Sequence, residues 1–390
     1  MQHERHSAAA ALSCIGSSSL SPLAKEAQAE TSNVDREEQN EPHSDGIFVK
    51  EEHLPAVQQC PDLELKAIYS RSLKSAESVS SNLPNISLHS DDSSDNQTYD
   101  ALLSRDDIHA LIIALPILVQ PDFIKKALKA GKHVLAEKPL AKDVETGKEL
   151  IDWYHKEIDT KKLNFSIAEQ FRYYAAYAHS ARKVRSFGKV IGMRVRMHAC
   201  IKPGAKYYET EWRKKPGYQG GFLLDGGVHF IAGIRHLLAG EKVRRVSAYT
   251  TQLKEYLPPV DTVDATWQLE NGSTGTFSVS FGTTFSGAEW SVACEGGTVS
   301  VNRTKVTSKP SGGEETVEDV PDEVGGEAKE AHVPVGSVVP EVFAWAKSLK
   351  DGKWDARQSA EEGLADLEIL EAMLRSGEKN GESVELKYQV

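Results

Sequence analysis

Between Leu63 and Ala168 short apolar runs alternate with stretches of helical spacing. This alternation constrains the fold more than any other feature, because strand–helix–strand repeats of this length build parallel βαβ units with right-handed crossovers. Leu63–Tyr69 reads as a strand, after a short helix over Leu54–Cys60 that Pro61 ends. Ile108–Leu115 is a near-continuous apolar run, as a parallel strand covered on both faces requires. Pro121–Ala130 has helical spacing and stops at Gly131, a C-cap signal. A third strand over His133–Ala136, a helix over about 142–158 and a strand over Leu163–Ala168 continue the series, and residues 85–98 read as a polar loop.

Beyond residue 180 the texture changes. Val190–Ala199, Arg245–Gln252, Val263–Leu269, Thr274–Phe281, Glu289–Cys294 and Thr298–Val301 read as strands without crossover helices, which predicts a mostly antiparallel sheet. Asn271-Gly272 between two of them is a hairpin signal. Residues 308–335 are polar and loop-like, and Ser359–Arg375 is a final amphipathic helix stopped near Gly377. The 390 residues suit two domains. The expected fold class is an open parallel α/β domain over 46–168, then an α+β domain with a large, mostly antiparallel open sheet over 169–390, its last helix at about 359–376. Residues 1–45 are expected to be an atypical, partly disordered N-terminal segment.

A net charge of -11 leaves no basic footprint for nucleic acid. No apolar run approaches the ~18 residues that span a bilayer. Cys14, Cys60, Cys200 and Cys294 form no CxxC pair, which argues against a zinc or dithiol centre and suits a reducing compartment. The expected location is cytoplasmic, with no membrane, metal or nucleic-acid partner.

Four features carry candidate chemistry. Glu137-Lys138-Pro139 directly follows a buried strand, at the carboxyl end where open α/β sheets bind ligands. A Lys there can stabilise negative charge developing on a substrate oxygen. In Gly220–His229, Asp225 and His229 stand four apart, on one face if the segment is helical. His229 can take a proton from an alcohol, and Asp225 can orient it or hold a second hydroxyl. The adjacent Gly226 and Gly227 permit close approach of a backbone or ligand. Ser70-Arg71-Ser72 ends the Leu63 strand where dinucleotide folds place an acidic residue on the ribose. With no Asp or Glu at 70–73, Arg71 favours a 2′-phosphate. Finally, no contiguous glycine turn precedes the helix at Leu54. Ala11–Gly16 reads as a first strand ending in a glycine, and Gly46-Ile47-Phe48 as the second half of the turn, so that Ser18–Asp45 interrupts a phosphate cradle.

These residues resemble the glucose–fructose oxidoreductase / inositol dehydrogenase / rhizopine-catabolism (Gfo/Idh/MocA) family. The resemblance rests on 130–141 (AGKHVLAEKPLA), Glu169-Gln170-Phe171-Arg172-Tyr173, Trp212-Arg213 and 220–229 (GGFLLDGGVH), and runs from about Gly46 to the last helix. It implies a Rossmann domain followed by a sheet domain that carries a homodimer or higher homo-oligomer interface. It implies an NAD(P)-dependent dehydrogenase or reductase acting on a sugar, polyol or related hydroxy or keto compound, with NADP(H) preferred and NAD(H) as the alternative. Lys138, Asp225 and His229 would be catalytic. Gly16, Gly46, Ile47, Phe48, Ser70, Arg71, Ser72, Leu115, Pro116, Glu137, Lys138 and Pro139 would hold the cofactor, with a cis Lys138–Pro139 bond. Arg172, Tyr173, Trp212 and Arg213 would line the substrate site or the domain junction. The rival reading is a non-catalytic dinucleotide- or sugar-sensing co-regulator of the same fold, or a cofactor-impaired relative, because the glycine turn departs from the family's pattern.

Overall fold

The computed structural model describes residues 8–14, 48–80, 83–206, 208–322 and 337–390. Its first domain runs β1 (Ala8–Cys14), a π-helical turn (Val49–His53), α1 (Leu54–Gln59), β2 (Leu63–Ser70), α2 (Leu73–Ser80), β3 (Ser87–Ser90), α3 (Tyr99–Leu103), β4 (Ala110–Ala114), α4 (Gln120–Lys129), β5 (His133–Glu137), α5 (Val144–Glu157) and β6 (Phe165–Ala168). The strands form one parallel sheet in the order β3-β2-β1-β4-β5-β6. This is the doubly wound dinucleotide order, whose topological switch lies between β1 and β4.

β1 sits at the centre of that sheet, paired with β2 on one side and β4 on the other. A domain boundary at residue 46 therefore leaves out the central strand, and Ala8–Cys14 belongs with the nucleotide-binding fold. Gly16, Gly46, Ile47 and the 18–45 interruption lie outside the described residues. Side chains of β4 alternate between two cores: Ala110 and Ile112 pack with α1 and α2, Leu111 and Ile113 with α4 and α5.

The second domain adds α6 (Ala175–Ser186), β7 (Val190–Cys200), α7 (Glu211–Lys214), α8 (Phe222–Leu237), β8 (Val243–Thr251), β9 (Thr262–Leu269), β10 (Thr274–Ser280), β11 (Gly282–Cys294), β12 (Gly297–Asn302), β13 (Lys305–Pro310), β14 (Thr316–Asp319), α9 (Val339–Asp351), α10 (Ala360–Glu378) and β15 (Val384–Glu385). Its nine-stranded sheet has the order β14-β13-β12-β11-β7-β10-β9-β8-β15, antiparallel except for the β7–β10 pair. The Asn271-Gly272 hairpin joins β9 to β10, with Gly272 at φ +88°.

Several expectations need correction. Residues 85–98 contain β3, a four-residue edge strand too polar to show periodicity. The stretch 308–335 is not all loop, since β13 extends into it and β14 lies within it. β14 is an exposed edge strand held by its backbone ladder to β13 and by polar side-chain contacts, Thr316 with Ser308 and Glu318 with Lys183, so it carries no apolar alternation. α10 is buried on most sides between β8, α8 and α5 rather than amphipathic. It ends near Gly377, as expected. The helix continues to Glu378, and a Cβ on Gly377 would lie 2.3 Å from Thr250 Oγ1, so this glycine admits β8. Finally, α9 belongs to the C-terminal half of the sequence but packs on the first sheet, where Val339, Val342 and Trp345 close the core under α1.

α8 positions the candidate site. It is apolar enough to be buried along most of its length. The chain enters it through Gly221, at φ +50° and ψ -123°, where a Cβ would lie 2.1 Å from the Pro258 carbonyl oxygen. Gly226 and Gly227 let Phe281 and Leu370 pack against the helix, with Phe281 Cζ 2.9 Å from where a Gly226 Cβ would stand. Gly221→Ala combines a disfavoured backbone with a backbone clash, and should destabilise the chain by about 3 kcal/mol or more in urea unfolding. A loss below about 1 kcal/mol would show that the entry to α8 is not held this tightly.

Candidate functional site

The carboxyl end of β5 delivers Lys138, which precedes a cis Lys138–Pro139 peptide, to the first turns of α8. Lys138 Nζ donates to Asp225 twice, to the backbone oxygen at 2.9 Å and to Oδ1 at 3.0 Å. From the other side Arg213, next to the end of α7, donates Nε to Asp225 Oδ2 at 2.7 Å. Asp225 is thus a buried carboxylate between two cations. Burial alone would raise its pKa, but Arg213 and Lys138 outweigh burial and hold it well below the usual carboxylate range.

One helical turn further along α8, His229 does not pair with Asp225. Its Nδ1 donates to Glu169, 2.8 Å from Oε1 and 3.0 Å from Oε2, and its ring stacks on Phe171 at 5.3 Å. Glu169 follows directly on β6 and is 1% exposed. Burial pushes its carboxyl up, yet His229, Arg172 and Lys138 together bring it below the ordinary value. An ionised Glu169 fixes the proton on Nδ1 and leaves Nε2 as the basic nitrogen. The orienting group for His229 is therefore Glu169, not Asp225. The rule that picked out Lys138, a polar residue just past the carboxyl end of a parallel strand, applies equally to Glu169.

The other expected residues divide. Trp212 stacks against the Arg213 guanidinium at 4.0 Å, beside the site. Arg172 and Tyr173 do not line it: the Arg172 guanidinium is buried against Asp366 and Glu362 of α10, and Tyr173 is covered by Arg357 at 4.1 Å. Both belong to the domain junction, where a buried guanidinium needs carboxylates around it. The Glu137 side chain bonds the buried His53 at 2.7 Å, and its carbonyl accepts from Gln120 Nε2 at 2.6 Å. Neither His53 nor Gln120 carries a recognisable signal in the sequence.

At the carboxyl end of β2, Ser70 is fully buried and its Oγ has no partner among the described residues. Arg71 follows it, and Ser72 Oγ accepts from Ser75 N at the start of α2. Leu115 and Pro116 follow β4, and the Pro116 carbonyl accepts from Val119 and Gln120. Phe48 opens the π-helical turn with its ring 5.4 Å from His53. An orphaned hydroxyl, an Arg and Lys138 along the carboxyl edge of a doubly wound sheet fit a dinucleotide.

Residues 45–161 match the family described as "Oxidoreductase family, NAD-binding Rossmann fold" (GFO_IDH_MocA), and residues 183–386 match its C-terminal alpha/beta domain. The chain is 35% identical over 352 residues to the dehydrogenase FPY6 of Fusarium mangiferae, covering 88% of this chain and 97% of that protein. It is 26% identical over 343 residues to a D-xylose 1-dehydrogenase (NADP(+)) of Haloferax volcanii, covering 87% and 97%. Among solved structures, an oxidoreductase from Thermotoga maritima superposes with a TM-score of 0.76 at 26% identity, covering 97% of this chain and 98% of that one. No helix among the described residues is long and apolar enough to cross a membrane.

The Asp225 triad has a pH signature. Its folded carboxyl sits below the unfolded value, so its contribution is complete above the ordinary carboxylate range and is lost as pH falls below about 4. Asp225→Asn leaves Lys138 and Arg213 without their counter-charge and should cost about 3 kcal/mol at neutral pH. Unfolding measured across the acid range should show wild type and variant converging as pH drops. A gap that stays constant with pH would mean that Asp225 is not held as a carboxylate.

Proposed function

The chain belongs to the Gfo/Idh/MocA oxidoreductase family, and from that premise we propose that it moves a hydride between NADP(H) and a secondary alcohol or ketone of a sugar, polyol or related compound. NAD(H) is the second-choice cofactor. One observation carries the reading: Lys138 of the first domain meets Asp225 of the second, one helical turn from a histidine whose tautomer Glu169 sets.

When bound, the dinucleotide supplies the hydride acceptor or donor. Lys138 donates a hydrogen bond to the substrate oxygen and offsets the charge that develops there. Asp225, ionised between Lys138 and Arg213, holds that ammonium in place and keeps its charge compensated before substrate arrives. In oxidation His229 Nε2 accepts the hydroxyl proton, and the imidazolium so formed is stabilised by the buried Glu169. In reduction the same nitrogen returns the proton. Ser70, Arg71 and Ser72 would hold the adenosine ribose and its 2′-phosphate, and Leu115, Pro116 and Pro139 would pack against the nicotinamide end. The NADP named for the H. volcanii enzyme agrees with this assignment. The exposed side of the nine-stranded sheet, with Tyr249 and Phe285 in solvent, is the surface assigned to a homo-oligomer.

The interrupted glycine turn favours a second reading, a dinucleotide sensor or cofactor-impaired relative. Fluorescence titration with NADPH beside NADH separates the two. Saturable binding, tighter for NADPH and reversed in favour of NADH by Arg71→Asp, supports the enzyme, whereas no binding of either sinks it. In the same protein Lys138→Ala and His229→Ala should each lower kcat by ~100-fold or more. Near-wild-type turnover in either removes that residue from the mechanism.

A further inference from the structure

Where α6, the carboxyl end of α8 and the turn before α10 meet, a cavity of about 140 Å³ is walled by His236 and five cationic side chains, Arg172, Arg185, Arg235, Lys242 and Arg357. It is too small for a dinucleotide, being well under the roughly 300–1,000 Å³ of ordinary ligand pockets. Two acidic side chains, Glu241 and Glu362, share the wall, and the last two residues, Gln389 and Val390, line it as well. Asp366 and Asp355, which do not line it, pair with Arg172, Arg235 and Arg357.

Those pairings leave donors over. Arg172 is 2% exposed, and while its Nη2 bonds Asp366 and the Glu362 carbonyl, its Nη1 has no partner among the described residues. His236 Nε2 is likewise buried and without a partner among them. Folded chains rarely leave such groups unsatisfied, and a buried charged donor is the costliest to leave so. Arg185 lines the same cavity from an exposed position. Burial first, then Arg172, Arg357 and Arg185, push the His236 imidazole down to about 4. Guanidinium groups lining a small polar cavity suit the several acceptor oxygens of a tetrahedral oxyanion.

We propose that this cavity binds a small oxyanion of the phosphate or phosphomonoester class, with Arg172 Nη1 as inner donor, His236 beside it in the tautomer that carries its proton on Nε2, and Arg185 at its mouth. The site is separate from the one assigned to hydride transfer and does not depend on that reading. Its occupant would join the segment that begins at Glu169 to the end of α8, the helix that carries Asp225 and His229, and so stabilise both against unfolding.

Thermal unfolding of the full chain in sodium phosphate, against sodium chloride at matched ionic strength, tests this. The dinucleotide-side residues could also take phosphate, so Arg71→Asp is carried beside Arg185→Glu, whose exposed side chain can change without disturbing the core. The expected result is a saturable rise in Tm specific to phosphate. Its half-saturating concentration should increase about tenfold or more in Arg185→Glu and stay unchanged in Arg71→Asp. Methyl phosphate in a parallel arm distinguishes the sources. A rise equal to that with phosphate identifies a phosphomonoester site, and a rise with inorganic phosphate alone identifies a free-anion site. The proposal is overturned if phosphate does no more than chloride, if Arg185→Glu responds as wild type does, or if Arg71→Asp abolishes the effect.

Discussion

The bridge from Lys138 through Asp225 to Arg213 is the constraint on which the rest of the site depends. It is the point where the end of a parallel strand in one domain is bonded to a helix of the other. Three mostly buried charged side chains are expensive to desolvate, and the arrangement persists only because each charge has its counter-charge at hydrogen-bond distance. That geometry in turn requires α8 to begin where it does. Gly221, pressed against the Pro258 carbonyl, sets its entry, and Gly226 lets Phe281 pack close beside Asp225.

Around this bridge the junction is a layered polar interior. Glu169 and His229 form one layer, and Arg172 and Arg235 with Asp366 and Glu362 form the next. Glu341, on α9, is fully buried with neither carboxyl oxygen partnered among the described residues. Burial first, then the neighbouring Glu137 and Glu169, push its pKa up from the usual carboxylate value. Through α9 the C-terminal half of the chain closes the core of the first domain, and through α8 and α10 it surrounds the histidine. The two domains are therefore one polar assembly at the site, even though each has its own sheet.

Much of this was legible in the residues. Runs such as Ile108–Leu115 suit strands buried on both faces, and their alternation with helical spacing points to a parallel sheet. Lys138 after β5 and the Asp225–His229 spacing were readable because local rules, a strand's carboxyl end and the four-residue helical repeat, place them. Short polar strands such as β3 and β14 were not readable, since backbone pairing at a sheet edge leaves no apolar pattern. The last helix was misread in its environment, because its sequence shows spacing but not how many neighbours will cover it.

What the sequence alone determined is the alternation of the longer strands and helices, the resemblance to the family and the chemical types gathered at the site. The alternation and the site chemistry follow from periodicity and from side chains close together in the chain, and the resemblance from the motifs at 130–141, 169–173, 212–213 and 220–229. Only the tertiary structure decided the partners. Glu169 rather than Asp225 orients His229, Arg172 turns to α10 instead of the substrate side, and Ala8–Cys14 completes the first sheet from beyond a long interruption. Such pairings join residues far apart in sequence, and they are settled by which buried charges can be satisfied together once the two sheets and α8 are in place, a condition that no local pattern encodes.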